Sequence, residues 1–160
     1  MRVEIAVAVA LWLAVPTLAG GGTDIVKVDE FIDAPRVLFG DSLPTVIHRL
    51  GSPVAEDSRT RGALRDPTLM RRVQRLSYPG LRIEIRDRLV AVEITTPGHG
   101  LPWGLDVGAS RAAVEATFGE AQDAAEDRLQ YLYSDGFPKT VTFHLRDGRV
   151  RKIEWEYWVD

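Results

Sequence analysis

The sequence predicts an α+β fold: two tandem units, each a short helix followed by antiparallel strands, packed as one globular unit with the helices on one face of the sheet. Three observations predict it. A frame of Gly40, Ser42, Val46, Leu50 and Gly51 returns sixty-eight positions later as Gly108, Ser110, Val114, Phe118 and Gly119. After each copy comes a strand that alternates apolar with polar residues: Leu81, Ile83 and Ile85 in the first, Val141, Phe143 and Leu145 in the second. Each alternating strand then meets an aspartate at a turn, Asp87 or Asp147, before a last strand. Recurrence at fixed spacing marks a repeat architecture, and period-two alternation marks a half-buried strand.

Residues 1–19 read as a secretory signal peptide. Arg2 precedes an apolar run from Ile5 to Val15, and Pro16, Thr17, Leu18 and Ala19 lead into Gly20, Gly21 and Gly22. An apolar run of 11 residues falls short of the roughly 20 that cross a bilayer, and its small-residue exit suits cleavage. The mature chain is therefore expected to be soluble in the periplasm or outside the cell, with no transmembrane segment. Residues 20–36 follow as an N-terminal arm. Its Thr23–Pro35 stretch mixes Ile25, Val26, Val28, Phe31 and Ile32 with Lys27, Asp29, Glu30 and Asp33, and reads as an edge strand or a loose arm.

Repeat 1 spans 37–96. Ser42 is placed to cap a helix in which Leu43, Val46, Ile47 and Leu50 fall at i, i+3, i+4 and i+7, one apolar stripe. Gly51 can adopt the left-handed conformation that closes such a helix, and Pro53 blocks its continuation. From Val54 to Arg75 the pattern lapses, and Arg59, Arg61, Arg65, Arg71, Arg72 and Arg75 outnumber Asp57 and Asp66. This basic insert reads as a solvated loop, with the charge to touch anionic lipid headgroups or an acidic partner. Strands are expected at Gln74–Tyr78, Leu81–Arg86 and Leu89–Ile94.

Residues 97–104, with Pro97, Pro102, Gly98, Gly100 and Gly104, form a connector too short to separate independent domains. Repeat 2 spans 105–160. Ser110 caps a helix bearing Ala113, Val114, Ala116 and Phe118 and closed by Gly119; Leu129, Tyr131 and Tyr133 open a strand. Asp147-Gly148 is a strong hairpin signal, and the last strand carries Ile153, Trp155 and Tyr157 on one side. In both repeats the apolar phase slips after the turn, since Leu89 and Val92, like Val150 and Ile153, are three apart; a shared β-bulge explains the slip.

Composition limits the chemistry. With 45% hydrophobic residues and a net charge of -3, the chain has neither the charge excess of a disordered protein nor the basic balance of a nucleic-acid binder. No cysteine occurs, so thiol catalysis, disulfides, cysteine zinc sites and a lipid-bearing cysteine are excluded. Leu38-Phe39-Gly40-Asp41-Ser42-Leu43 looks like the nucleophile block of GDSL esterases. That chemistry needs an Asp-x-x-His pair to activate the serine and an oxyanion-binding asparagine. His48, His99 and His144 each lack an aspartate three residues earlier, and the sequence has no asparagine. Ser110, at the matching place in the second repeat, explains Ser42 as a helix cap. The histidines lack ligand spacing, so neither a metal nor any other cofactor is expected, and the protein is read as non-enzymatic.

What remains is surface. Antiparallel sheets covered on one side leave the other open to solvent. By alternation that open face would display Arg82, Glu84, Arg86, Gln130, Thr142, His144, Arg146, Glu154, Glu156 and Trp158. Arg82, Arg86, His144, Arg146, Glu154, Glu156 and Trp158 are the candidate protein-binding residues, since Trp and Arg dominate interface energetics.

The pattern Gly-x-Ser, Val four residues on, Leu-Gly or Phe-Gly after four more, a Tyr-bearing strand, then Asp147-Gly148-Arg149-Val150 followed by Ile153-Glu154-Trp155, resembles a known family. It is that of the tandem-repeat β-lactamase-inhibitory-protein fold, shared with the small assembly lipoprotein of the outer-membrane β-barrel machinery. The resemblance covers residues 37–160. It implies helices on one side of an antiparallel sheet and a role in binding protein: the inhibitor grips its target with the exposed sheet and loops, and the lipoprotein acts as a scaffold that contacts lipid. This chain lacks the inhibitor's cysteines and the lipoprotein's lipid-bearing cysteine. The expected function is a scaffold or protein-binding module of the cell envelope, or an inhibitor of a secreted or periplasmic hydrolase.

Overall fold

The computed structural model describes residues 21–61 and 71–158, without the side chains of 59–61 and 71. The signal peptide expected at 1–19 and the middle of the basic insert lie outside the described residues. Within them are three α-helices, a short 3-10 turn at Pro102–Gly104 and one antiparallel sheet of eight strands. No helix among the described residues is long and apolar enough to cross a membrane.

The first helix, α1 (Ile25–Leu38), corrects the reading of Thr23–Pro35 as an edge strand or loose arm. Asp24 caps it by accepting the Lys27 N–H, and Val28, Phe31, Ile32 and Pro35 form a buried stripe at i, i+3, i+4 and i+7. Pro35 has no N–H for the Phe31 carbonyl one turn back. The Trp155 indole N–H donates to that carbonyl instead, at 3.1 Å, and the Tyr157 hydroxyl donates to the Ile32 carbonyl at 2.7 Å. Burial pushes the Tyr157 pKa far up, so its hydroxyl stays a donor.

Helices α2 (Leu43–Leu50) and α3 (Arg111–Phe118) sit where the sequence predicts. Ser110 Oγ accepts the Ala113 N–H at 3.1 Å, and the Ser42 N–H donates to Thr45 Oγ1 at 3.1 Å. Both helices end on a glycine with positive φ, Gly51 at 77° and Gly119 at 76°. The carbonyl of each is held by a tyrosine from the strand layer: the Tyr78 hydroxyl reaches Gly51 and the Tyr131 hydroxyl reaches Gly119, both at 3.0 Å. Burial drives the Tyr131 pKa up to about 12.

The strands are β1 (Ala55–Arg61), β2 (Arg71–Tyr78), β3 (Leu81–Ile85), β4 (Leu89–Ile94), β5 (Asp123–Ala125), β6 (Arg128–Ser134), β7 (Pro138–Arg146) and β8 (Arg149–Tyr157). Their order is β1-β2-β3-β4-β8-β7-β6-β5, so the two halves of the chain meet where β4 pairs with β8. The reading of 54–75 as a solvated loop is corrected for its described residues. Those on either side of 62–70 are strand, with β1 paired along β2 from Ala55↔Ser77 out to Arg61↔Arg71. At the opposite edge the much shorter β5 pairs with β6.

The phase slips are bulges. Register jumps between Glu84 and Ile85 on β3 opposite β4, and between His144 and Leu145 on β7 opposite β8. Leu89 and Val92, like Val150 and Ile153, thereby both reach the core. Asp147 (φ 52°) and Gly148 (φ 71°) make the expected hairpin turn.

One core cluster joins Val28, Phe31 and Ile32 of α1, Val46 of α2 and Val114 and Phe118 of α3 to alternate strand residues, among them Ile83, Val92, Tyr131, Phe143, Ile153 and Trp155. Its centre is aromatic: the Phe31 ring lies 5.3 Å from Phe118 and 5.5 Å from both Phe143 and Trp155. The connector contributes as well, with Leu101 and Leu105 buried in the cluster and Trp103 laid 6.3 Å from Phe31.

Candidate functional site

The strand residues that alternate with the core set form the other face of the sheet. Cross-strand register aligns Arg82, Glu93, Glu154, Thr142 and Gln130 in one row over β3, β4, β8, β7 and β6. At the seam between the halves Glu93 stands directly opposite Glu154, a like-charge pair that is unfavourable unless neutralised. Arg82 Nη1 binds Glu93 Oε1 at 2.9 Å, and Lys152 Nζ lies 2.9 Å from Glu154 Oε1 and 3.6 Å from Glu93 Oε2. His144 Nε2 closes the network on Glu154 Oε2. Burial works to raise the Glu154 pKa, but the hydrogen bonds and charges of Lys152 and His144 outweigh it and hold the carboxyl below its ordinary value. Alongside, the Gln130 amide donates to Thr142 Oγ1 at 3.0 Å.

A second row sets Ala91 between Glu84 and Glu156. The small alanine side chain leaves a shallow depression of about 190 Å³, lined also by Arg75, Arg82, Glu93 and Glu154. Glu84, only 5% exposed, lies 3.4 Å from Arg75 Nε, and Arg75 also reaches Asp57 at 3.5 Å.

At one end of this face three large apolar side chains reach solvent: Trp158 (62% exposed), Phe137 (51%) and Leu132 (39%). Trp158 follows β8 and its backbone N–H donates to the Pro138 carbonyl at 3.2 Å; Phe137 sits in the β6–β7 turn and Leu132 stands opposite Thr140. The sequence-predicted residues thus fall into separate places. Arg82, His144 and Glu154 share the seam network, and Glu156 borders the depression. Arg86, largely buried just past β3, has its Nε 3.4 Å from Asp87. Arg146 is set apart from Trp158: it ends β7 beside Arg149, eight residues from Pro138 and so about 25 Å away along the strand. The candidate residues therefore do not form a single patch.

Sequence reasoning missed Glu93, Lys152, Leu132 and Phe137. The alternation of Val92 and Ile94 around Glu93 could have found the first. Lys152 was hidden by the bulge, which leaves open whether Arg151 or Lys152 faces His144 until the register is known.

Around Ser42 the geometry is local. Its Oγ lies 3.0 Å from Thr45 Oγ1. His48 is exposed on α2, His99 Nε2 is 3.3 Å from Thr96 Oγ1, and His144 is engaged with Glu154. Among the described residues no three His, Asp or Glu side chains converge on a common metal position. The chain matches no family model, no curated protein and no solved structure.

Proposed function

We propose that this chain is an exported, non-enzymatic protein-binding or scaffold module of a bacterial envelope, acting through the open sheet face. Its two halves, 37–96 and 105–160, are read as tandem repeats with their helices on one side of the sheet, as in the β-lactamase-inhibitory-protein fold that the sequence resembles. The matched Gly51 and Gly119 helix ends, their tyrosine partners and the two equivalent bulges support the repeat reading. The observation that carries the function is the juxtaposition, on one sheet face, of an apolar corner at Leu132, Phe137 and Trp158 with the charged seam of Arg82, Glu93, Glu154, Lys152 and His144. Exposed large apolar groups rimmed by charge are what docking surfaces offer. Ser42, engaged with Thr45 at a helix start, supports a capping role over a nucleophilic one.

The test is capture of envelope proteins on immobilised mature chain. A partner retained by the wild type is expected to be lost with Trp158→Ala and with Leu132→Ala, and kept with Val37→Ala on α1. Retention by all three variants would move the contact elsewhere, and ester turnover abolished by Ser42→Ala would replace the reading with an enzymatic one.

A further inference from the structure

The two edges of the sheet are finished differently. At one, β5 covers β6 only as far as Gln130, and beyond it the Gln122 side-chain carbonyl accepts the Leu132 N–H at 3.1 Å, filling the place of a strand. At the other, β1 is seven residues long and, among the described residues, pairs with β2 and no other strand.

Which backbone groups of β1 point outward follows from the β2–β3 turn. Pro79-Gly80 joins Tyr78 to Leu81 as a two-residue hairpin, so Tyr78, Leu76 and Gln74 direct their N–H and C=O groups to β3. Ser77, Arg75 and Val73 then direct theirs to Ala55, Asp57 and Arg59, and the Ser77 carbonyl indeed accepts from the neighbouring Val54 N–H at 2.8 Å. The backbone groups of Glu56, Ser58 and Thr60 are left facing away from the sheet.

The edge Ala55-Glu56-Asp57-Ser58-Arg59-Thr60-Arg61 is acidic before Ser58 and basic after it. An antiparallel second copy turned about Ser58 sets Ser58 against Ser58, Glu56 against Thr60 and Asp57 against Arg59. All three outward-facing residues then find hydrogen-bonding partners, and opposite charges stand across from one another. Of the adjacent registers that keep the same backbone groups in play, one sets Asp57 against Asp57, and the other sets Arg59 against Arg59 while bringing Asp57 opposite Arg61. Only the register about Ser58 pairs opposite charges with no like-charged residues set directly across from each other.

We propose that two copies of this chain pair through β1, antiparallel about Ser58, and so join two eight-stranded sheets into one. The contact is isologous, with each copy presenting the same surface. A single strand pair buries far less than the roughly 1,200 Å² at the low end of stable interfaces, so the dimer is reversible and concentration-dependent. Its cross-copy charges make it weaken as salt rises.

Sedimentation equilibrium of the mature chain over a concentration series, at low and high salt, measures it. Ser58→Pro removes an N–H that points away from β2, a place where edge strands tolerate proline, so the monomer keeps its fold. The wild type is expected to dimerise, and Ser58→Pro to raise the dissociation constant at least about tenfold with an unchanged circular dichroism spectrum. Arg59→Asp is expected to weaken association similarly, and Asp57→Arg combined with Arg59→Asp to restore it; this pair carries the test should the proline variant misfold. A monomer at every concentration, or a dimer indifferent to Ser58→Pro and to the charge exchange, would overturn the proposal.

Discussion

In the first half of the chain the glycine that ends α2 has open space beside it; in the second, a Cβ added to the matching Gly119 would stand 2.5 Å from the carbonyl of Gly22. The same helix end has been put to different use. Around Gly119 the chain entering α1 is tied down, since the Asp24 N–H donates to the Phe118 carbonyl at 2.7 Å and Thr23 reaches the Glu120 carbonyl. The cores diverge in step. Ile83, Ile85, Leu89, Val92 and Ile94 fill the first half with aliphatic side chains, whereas Phe118, Tyr131, Phe143 and Trp155 fill the second and receive Phe31 of α1. The aromatic side chains thus gather in the half against which α1 packs.

The contrast is broken most severely at Trp155. Trp155→Ala is expected to cost about 3–5 kcal/mol in chemical denaturation, against about 2 kcal/mol for Val46→Ala in the first half. Equal losses would mean that α1 stabilises both halves alike. A gentler change isolates one hydrogen bond. Trp155→Phe keeps an aromatic ring but orphans the Phe31 carbonyl, at an expected cost of about 1–3 kcal/mol. Pro35→Ala in the same background supplies the missing backbone N–H, so a double-mutant cycle should show coupling of about 0.5–3 kcal/mol.

The glycines sharpen the comparison directly. Gly51→Ala should cost about 1–3 kcal/mol, since its φ of 77° and ψ of −167° lie in a region open essentially to glycine alone. Gly119→Ala carries the same strain plus the collision with Gly22, so its thermal midpoint should fall further. The smallest effect belongs to the seam. Glu154 is held below its ordinary 4.5, so its contribution is complete above that pH and fades as pH falls through the lower folded value. Because the pair is partly solvated the contribution stays below about 1 kcal/mol. Glu154→Gln should flatten the loss of stability on acidification below pH 4.5 while leaving stability at pH 7 nearly unchanged.

Much of this fold was legible because its punctuation is chemical. Ser42 and Ser110, Gly51 and Gly119, and Asp147-Gly148 each need a particular residue type at one position, and the structure uses them as helix starts, helix ends and a turn. Even the bulges were visible as a slip in apolar spacing. Helix α1 was not read, although Val28, Phe31, Ile32 and Pro35 carry helical spacing, because Pro35 argues against a helix interior unless a side chain such as Trp155 takes up the freed carbonyl. That partner is 124 residues away, and no local pattern announces it. The pairing of β1 with β2 was hidden for a related reason: charged residues on an outer strand satisfy the ladder with their backbones while their side chains read as loop. The candidate face was legible by alternation, but its division into a seam and an apolar corner depends on register.

Binding on the open sheet face is what the proposed function requires. Photo-crosslinking in an envelope extract, with a benzoylphenylalanine placed at Leu132 and, as a control, at Val37 on α1, tests it most directly. A discrete adduct is expected from position 132 that Trp158→Ala removes, and none from position 37. An adduct from 37 with nothing at 132 would contradict it.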